Sequence, residues 1–142
     1  MRSLLSFLFL IWMVPFSVRA EVMFLAVEDA HRLTKSGEVT LIDVRSELEW
    51  SKTGIAAGAH PISIRGAGGE GEFLKAVGSV NGGQNTKPVA FICASGIRSG
   101  RAAFLVEKAG FSSVFNIRAG MEGNRRDGPG WLQKKLPVKS WP

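Results

Sequence analysis

The stretch PVAFICASGIRS, residues 88–99, decides the fold of this chain. It opens with an apolar run that predicts a short buried strand, and Cys93 leads from that run into a turn of small residues. Beyond the turn, apolar side chains recur at spacings of three and four until Gly110, which predicts a helix ending at that glycine. Cys93 is therefore expected at a strand-to-helix junction.

This junction favours a reactive thiol at Cys93. The amide groups of the turn and of the first helical turn would face the sulfur and form a cradle for an anion. Cysteines at helix N termini or beside cations ionise more readily than free cysteine, which makes them nucleophilic at neutral pH. The alternative is an inert cysteine buried at the end of a strand. The glycine in the turn, the helix start and Arg98 favour the reactive interpretation.

Outside this stretch the chain alternates between strand and helix patterns. Strands are predicted over residues 39–42, 61–64, 89–92 and 113–117, and helical spacing marks residues 27–33, 73–77 and a segment capped by Ser46. A glycine-rich loop is predicted over residues 66–71, and residues 128–138 show no clear periodicity. This alternation predicts an α/β domain with a mostly parallel sheet flanked by helices. Since ligands gather at the carboxyl ends of such strands, Arg45 and Cys93 would share a rim if their strands are neighbours.

The first twenty residues have the pattern of a secretory signal. A short positive start precedes an apolar stretch over residues 4–16, and Val18-Arg19-Ala20 offers a cleavage site. We therefore expect residues 1–20 to be a signal peptide, with export to the periplasm if the source is bacterial. An uncleaved membrane anchor is the alternative, but the stretch is short for a bilayer span and contains Pro15. The remainder, residues 21–142, has the size of a single domain.

The composition counts against several other functions. Without Arg2 and Arg19 the basic residues fall from 18 to 16 against 12 acidic ones, and no basic stripe alternates with aromatic residues, so nucleic-acid binding has little support. A single cysteine allows neither an internal disulfide nor a dithiol redox cycle. His31 and His60 have no partners at metal-ligand spacing, so no metal site is predicted.

Several motifs, taken in this order, resemble the rhodanese family of sulfurtransferases. They are LIDVR (41–45), EW (49–50), ICASGIRS (92–99), VFNI (114–117) and GM (120–121), within a resemblance that runs from about residue 24 to about residue 138. The resemblance implies a three-layer fold with a five-stranded, mostly parallel sheet flanked by helices. It also implies that Cys93 is the nucleophile that forms a persulfide. The cradle would be made by Ala94, Ser95, Gly96, Ile97, Arg98 and Ser99.

The same resemblance assigns supporting roles and a reaction. Asp43 would be a structural hydrogen-bond acceptor, and Arg45 either a buried brace or a cation at the rim. Cys93 would take sulfane sulfur from a small anionic donor such as thiosulfate and pass it to a thiol, to cyanide or to a protein acceptor. The Cys93 thiolate and the donor are both negative, and the loop amides and Arg98 would supply the positive potential that lets them approach each other. No cofactor is required, and a membrane is a partner only if residues 1–20 stay attached.

Two other functions remain open at this stage. The domain could carry a persulfide for a partner, or bind a partner, without efficient turnover of thiosulfate. A cysteine phosphatase is the less favoured alternative, since such loops place five residues between cysteine and arginine. Here only residues 94–97 separate Cys93 from Arg98.

Overall fold

A computed structural model of the chain describes residues 20–142. The predicted signal segment lies outside the described residues except for Ala20. Four helices are present in the described part: α1 Val27–Lys35, α2 Glu47–Thr53, α3 Gly69–Val80 and α4 Ile97–Lys108. The strands are β1 Met23–Phe24, β2 Thr40–Asp43, β3 Ile55–Ala56, β4 His60–Pro61, β5 Val89–Ile92, β6 Val114–Asn116 and β7 Val138–Lys139. Within residues 20–142, no helix has the length and apolar character needed to cross a membrane.

The central sheet is parallel and has five strands in the order β1-β6-β5-β2-β4. Strands β2 and β5 are adjacent, and Asp43 lies opposite Ile92 in their register. Strand β6 flanks β5 on the other side, with Asn116 opposite Phe91. The carboxyl ends of these three strands therefore meet at one edge. The predicted α/β fold class is confirmed, including the five-stranded parallel sheet.

Side chains along a strand alternate between the two faces of the sheet, so the apolar residues of the buried strands lie on both faces and helices cover both. On one face Ile42 and Phe91 pack in a cluster with residues of α3 and α4. On the other face Leu41 and Ile92 pack in a cluster with α1 and with Met121 and Trp131. The buried strands thus sit in the middle of three layers.

The structure differs from the predicted segments at the margins of the sheet. Strand β4 covers His60–Pro61 instead of residues 61–64. The amides of Ile62 and Ile64 nevertheless donate to the carbonyls of Asp43, the last residue of β2, and of Val44. Helix α3 begins at Gly69, inside the predicted glycine-rich loop, with Glu70 in its first turn where a carboxylate is favourable. The short strands β1, β3 and β7 were not predicted, because two-residue strands carry no periodicity.

Candidate active site

Cys93 lies directly after β5, in the loop that leads to α4, and it is 1% exposed. The amide of Gly96 donates to its Sγ at 3.1 Å. The hydroxyl of Ser99, in the first turn of α4, lies 3.3 Å from the same sulfur. When the sulfur is a thiolate, both groups act as donors, so this end of the helix can hold a negative charge on sulfur.

The path of the loop depends on glycine at position 96. Gly96 is the residue before α4 and adopts the left-handed conformation, with φ of 92°. A Cβ at this position would lie 2.3 Å from the carbonyl oxygen of Arg118, a backbone atom that cannot turn aside. Only glycine therefore lets the chain turn here and present the amide to Sγ.

A second segment holds the carbonyl groups of the cysteine loop. The amides of Met121 and Glu122 donate to the carbonyls of Cys93 and Ala94, at 2.8 and 2.9 Å. This close approach requires Gly120, because a Cβ there would lie 2.4 Å from the Ala94 oxygen. The side chain of Met121 is buried, and the sequence did not predict that its backbone holds the cysteine loop. A glycine soon after the last buried strand was the available signal.

Arg98 does not provide the free positive charge expected from the sequence. Its guanidinium forms two hydrogen bonds with the carboxylate of Glu49, at 2.7 and 2.6 Å. Glu49 also completes a capping box with Ser46 at the start of α2. Glu49 offsets part of the charge of Arg98, and in the described part of the chain the groups hydrogen-bonded directly to Sγ are the Gly96 amide and the Ser99 hydroxyl. The pair instead ties α2 to α4.

Asp43 and Arg45 form a buried ion pair at the same edge of the sheet. Both side chains are 0% exposed, and Nη2 of Arg45 lies 2.7 Å from Oδ2 of Asp43. The guanidinium also donates to the Thr53 hydroxyl and to the Gly54 carbonyl, both at 2.8 Å. Arg45 is therefore the buried brace of the two expected alternatives, and it joins the end of β2 to the end of α2. Asp43 accepts hydrogen bonds, as predicted.

The remaining loop residues contribute through their backbone. Within residues 20–142, the groups that hydrogen-bond to Sγ are the Gly96 amide and the Ser99 hydroxyl. Ala94 and Ser95 form the path from Cys93 to Gly96, and Ile97 is 81% exposed at the start of α4. Of the predicted loop residues, Gly96 and Ser99 are therefore the ones that contact Sγ directly.

Low pH should weaken the Glu49–Arg98 ion pair that links α2 to α4. The hydrogen bonds from Arg98 lower the pKa of Glu49 from its ordinary 4.5 to about 2. A lowered folded-state pKa gives stability that is present above about pH 4.5 and is lost as pH falls toward about 2. We expect a loss of roughly 1–3 kcal/mol, since the pair is bidentate but partly exposed.

Urea unfolding at about pH 7 and about pH 3 measures this loss. The variant Glu49→Gln keeps an oxygen that can accept from Ser46 but carries no charge, so it should be less stable than wild type at pH 7. The difference should shrink at pH 3, because the Glu49 carboxyl of the unfolded chain, with its ordinary pKa of 4.5, is then protonated and wild type must release that proton to form the ion pair. A difference that stays constant across this range would contradict the assignment.

Comparison with known proteins identifies the family of this fold and loop. The family model described as "Rhodanese-like domain" matches residues 26–126. The chain belongs to the rhodanese-like domain family. Among curated relatives of this rhodanese-like domain is an uncharacterized protein of Rickettsia prowazekii, 32% identical over 103 residues, covering 68% of this chain and 80% of that protein. A Rickettsia conorii protein is 31% identical, with 74% and 86% covered.

Solved structures show the same fold. The polysulfide-sulfur transferase homodimer of Wolinella succinogenes is 25% identical with a TM-score of 0.63, covering 84% of this chain and 80% of that chain. A rhodanese-related protein of Thermoplasma volcanium is 23% identical with a TM-score of 0.55, covering 82% and 97%. The first of these is a sulfur transferase by name, and the second supports the fold alone.

Proposed function

We propose that this rhodanese-like domain is a sulfurtransferase that moves sulfane sulfur through a persulfide on Cys93. The observation that carries the proposal is the pair of donors at Sγ, the Gly96 amide at 3.1 Å and the Ser99 hydroxyl at 3.3 Å. They stabilise negative charge on sulfur without a metal or a histidine base. The likeness to a polysulfide-sulfur transferase supports the same chemistry.

The reaction balances with the groups that the loop offers. The Cys93 thiolate attacks the sulfane sulfur of thiosulfate, an S–S bond forms to Sγ, and the S–S bond of thiosulfate breaks. Sulfite leaves with the electron pair. An acceptor, such as a thiolate or cyanide, then attacks the outer sulfur of the persulfide, and Cys93 leaves as a thiolate ready for the next donor.

Negative charge is present on sulfur throughout this cycle, which is why the donors matter. The thiolate, the donor and the persulfide are all anionic, and a buried anion without hydrogen bonds is strongly disfavoured. Preorganised amide donors are worth about 2.7–4 kcal/mol each when they face developing charge. The Gly96 amide fits this role because the loop holds it on Sγ before any substrate arrives.

Intact-protein mass spectrometry of residues 21–142 after incubation with thiosulfate tests the proposal. We expect a gain of one sulfur atom, which cyanide removes with release of thiocyanate. Wild-type protein alkylated at Cys93 beforehand is the matched control and should gain nothing. A folded, reduced protein that gains no sulfur from either thiosulfate or polysulfide would contradict the proposal.

A persulfide carrier that serves a protein acceptor is the second candidate. The observation that favours it is Ile97, the first residue of α4, whose apolar side chain is 81% exposed beside the cysteine loop. Such a carrier would gain sulfur from a donor but release it slowly to cyanide. The cyanide chase in the same experiment therefore separates carrier from enzyme.

The geometry argues against the phosphatase alternative. Residues 94–97 leave a loop one residue shorter than phosphate binding uses, and the Arg98 guanidinium is already bound by Glu49. A phosphate would have to compete with the Glu49 carboxylate for this guanidinium. Hydrolysis of an aryl phosphate by wild-type protein but not by alkylated protein would reverse this conclusion.

A further inference from the structure

Asn124 contacts the cysteine loop from a segment that no sequence motif connected to it. Its side-chain amide nitrogen donates to the carbonyl of Ser95 at 3.3 Å and to the carbonyl of Arg118 at 2.9 Å. Its side-chain oxygen accepts from the amides of Arg126 and Asp127, at 2.9 and 2.7 Å. All four hydrogen-bonding positions of the amide are therefore used.

The Ser95 carbonyl belongs to the same peptide group as the Gly96 amide. In a planar trans peptide the carbonyl and the N–H point to opposite sides. Asn124 holds the carbonyl side of this peptide, and the opposite side donates to Sγ of Cys93 at 3.1 Å. The contact with Asn124 therefore fixes the direction of the N–H that faces the sulfur.

This peptide needs an external contact because glycine leaves it free to rotate. Gly96 has φ of 92°, and glycine visits both signs of φ with similar ease. The peptide also borders an open groove of about 450 Å³, whose walls include Ser95, Gly96 and Asn124. Without Asn124, the Ser95 carbonyl has room to leave its present direction, and the N–H would turn away from Sγ with it.

The second donor contact of Asn124 acts on the same point of the loop. The Arg118 carbonyl that it holds is the atom that a Cβ on Gly96 would meet at 2.3 Å. Asn124 thus bridges the two chain segments that close around Gly96. Asn116 adds a further contact, since its side chain donates to the Gly96 carbonyl at 3.2 Å.

We propose that Asn124 is a positioning residue that holds the Ser95–Gly96 peptide so that its N–H stays on the sulfur of Cys93. The residue does not touch the reacting atoms and acts through the peptide. The consequence for sulfur transfer rests on the proposed function. The consequence for ionisation of the thiol does not, because alkylation of Cys93 needs no sulfur donor.

Two variants remove the donor side of Asn124 and keep its acceptor side. Asn124→Asp retains an oxygen for the amides of residues 126 and 127 but turns carboxylate oxygen toward two carbonyls. Asn124→Ser is uncharged and can still accept from an amide two residues on, but it is too short to bridge Ser95 and Arg118. The matched control is Asn85→Asp, which makes the same chemical change at an exposed asparagine before β5, away from the cysteine loop and from the segment that holds it.

The pH profile of alkylation by iodoacetamide is the first readout. A lost hydrogen bond to the charged sulfur favours the neutral thiol, so we expect both Asn124 variants to shift the profile toward higher pH by about one unit or more. Sulfur loading from thiosulfate at neutral pH should slow by about 10-fold or more. Asn85→Asp should behave as wild type, and circular dichroism should show all four proteins folded.

Each other outcome has a defined meaning. An unshifted profile in Asn124→Ser, or an equal shift in Asn85→Asp, would overturn the positioning role and leave the proposed function standing. If the profiles of both Asn124 variants shift but wild-type protein never accepts sulfur, the positioning role is supported and the proposed function is contradicted.

Discussion

Cys93→Ser should lose all sulfur loading while unfolding at nearly the same temperature as wild type. A serine hydroxyl is not ionised at neutral pH and cannot form a persulfide, so the attack on the donor has no nucleophile. The fold should tolerate the change, because the oxygen can still meet the Gly96 amide and the Ser99 hydroxyl in a site that is 1% exposed. We expect a stability change within about 1 kcal/mol.

Mass spectrometry after thiosulfate and a thermal melt measure the two halves of this prediction. The chain contains one cysteine, so the serine variant has no second thiol to accept sulfur. Sulfur bound to that variant would therefore exclude the persulfide mechanism. A large drop in melting temperature would show that Cys93 is mainly a packing residue.

Asp43→Ala should destabilise the fold by about 3–5 kcal/mol. Removal of the carboxylate leaves Arg45 charged, 0% exposed and without its counterion. The remaining partners, Thr53 and the Gly54 carbonyl, are neutral and cannot replace it. Breaking a buried ion pair from one side is costly for this reason, whereas removing both charges is far less so. The double variant Asp43→Ala with Arg45→Met should recover part of the loss.

Urea unfolding of these variants gives the measurement, with Asp29→Ala as the matched control. Asp29 also pairs with an arginine, Arg32, but both side chains are more than half exposed. Exposed pairs contribute about 0–1 kcal/mol, so this variant should remain close to wild type. Equal effects at positions 43 and 29 would contradict the structural role of the buried pair.

The sequence predicted the central part of the fold because those signals are local. The apolar runs over residues 39–42 and 89–92 are long enough to be recognised as buried strands, and both became neighbouring strands of the parallel sheet. The glycine-rich segment over 66–71 is a loop only as far as residue 68, because glycine favours a loop while Glu70 and Glu72 favour a helix start. The two-residue strand β1 owes its existence to pairing with β6, which no local pattern records.

The candidate site was likewise predicted only where its signals are local. Ser46 was recognised as a cap with acidic residues after it, yet nothing in that pattern showed that Glu49 would bind Arg98, 49 residues further along the chain. The choice between brace and rim cation for Arg45 also stayed open until its burial was known.

The sequence by itself determined that a lone cysteine ends a buried strand, that a glycine-containing turn follows, and that a helix starts close to the thiol. These features depend on neighbouring residues and on the backbone conformations they allow. Only the tertiary structure decided which groups surround the loop: Gly120 against its carbonyls, Glu49 on Arg98, and Asn124 on the peptide that faces Sγ. Those contacts join residues far apart in the chain, and their geometry follows from how strands and helices pack.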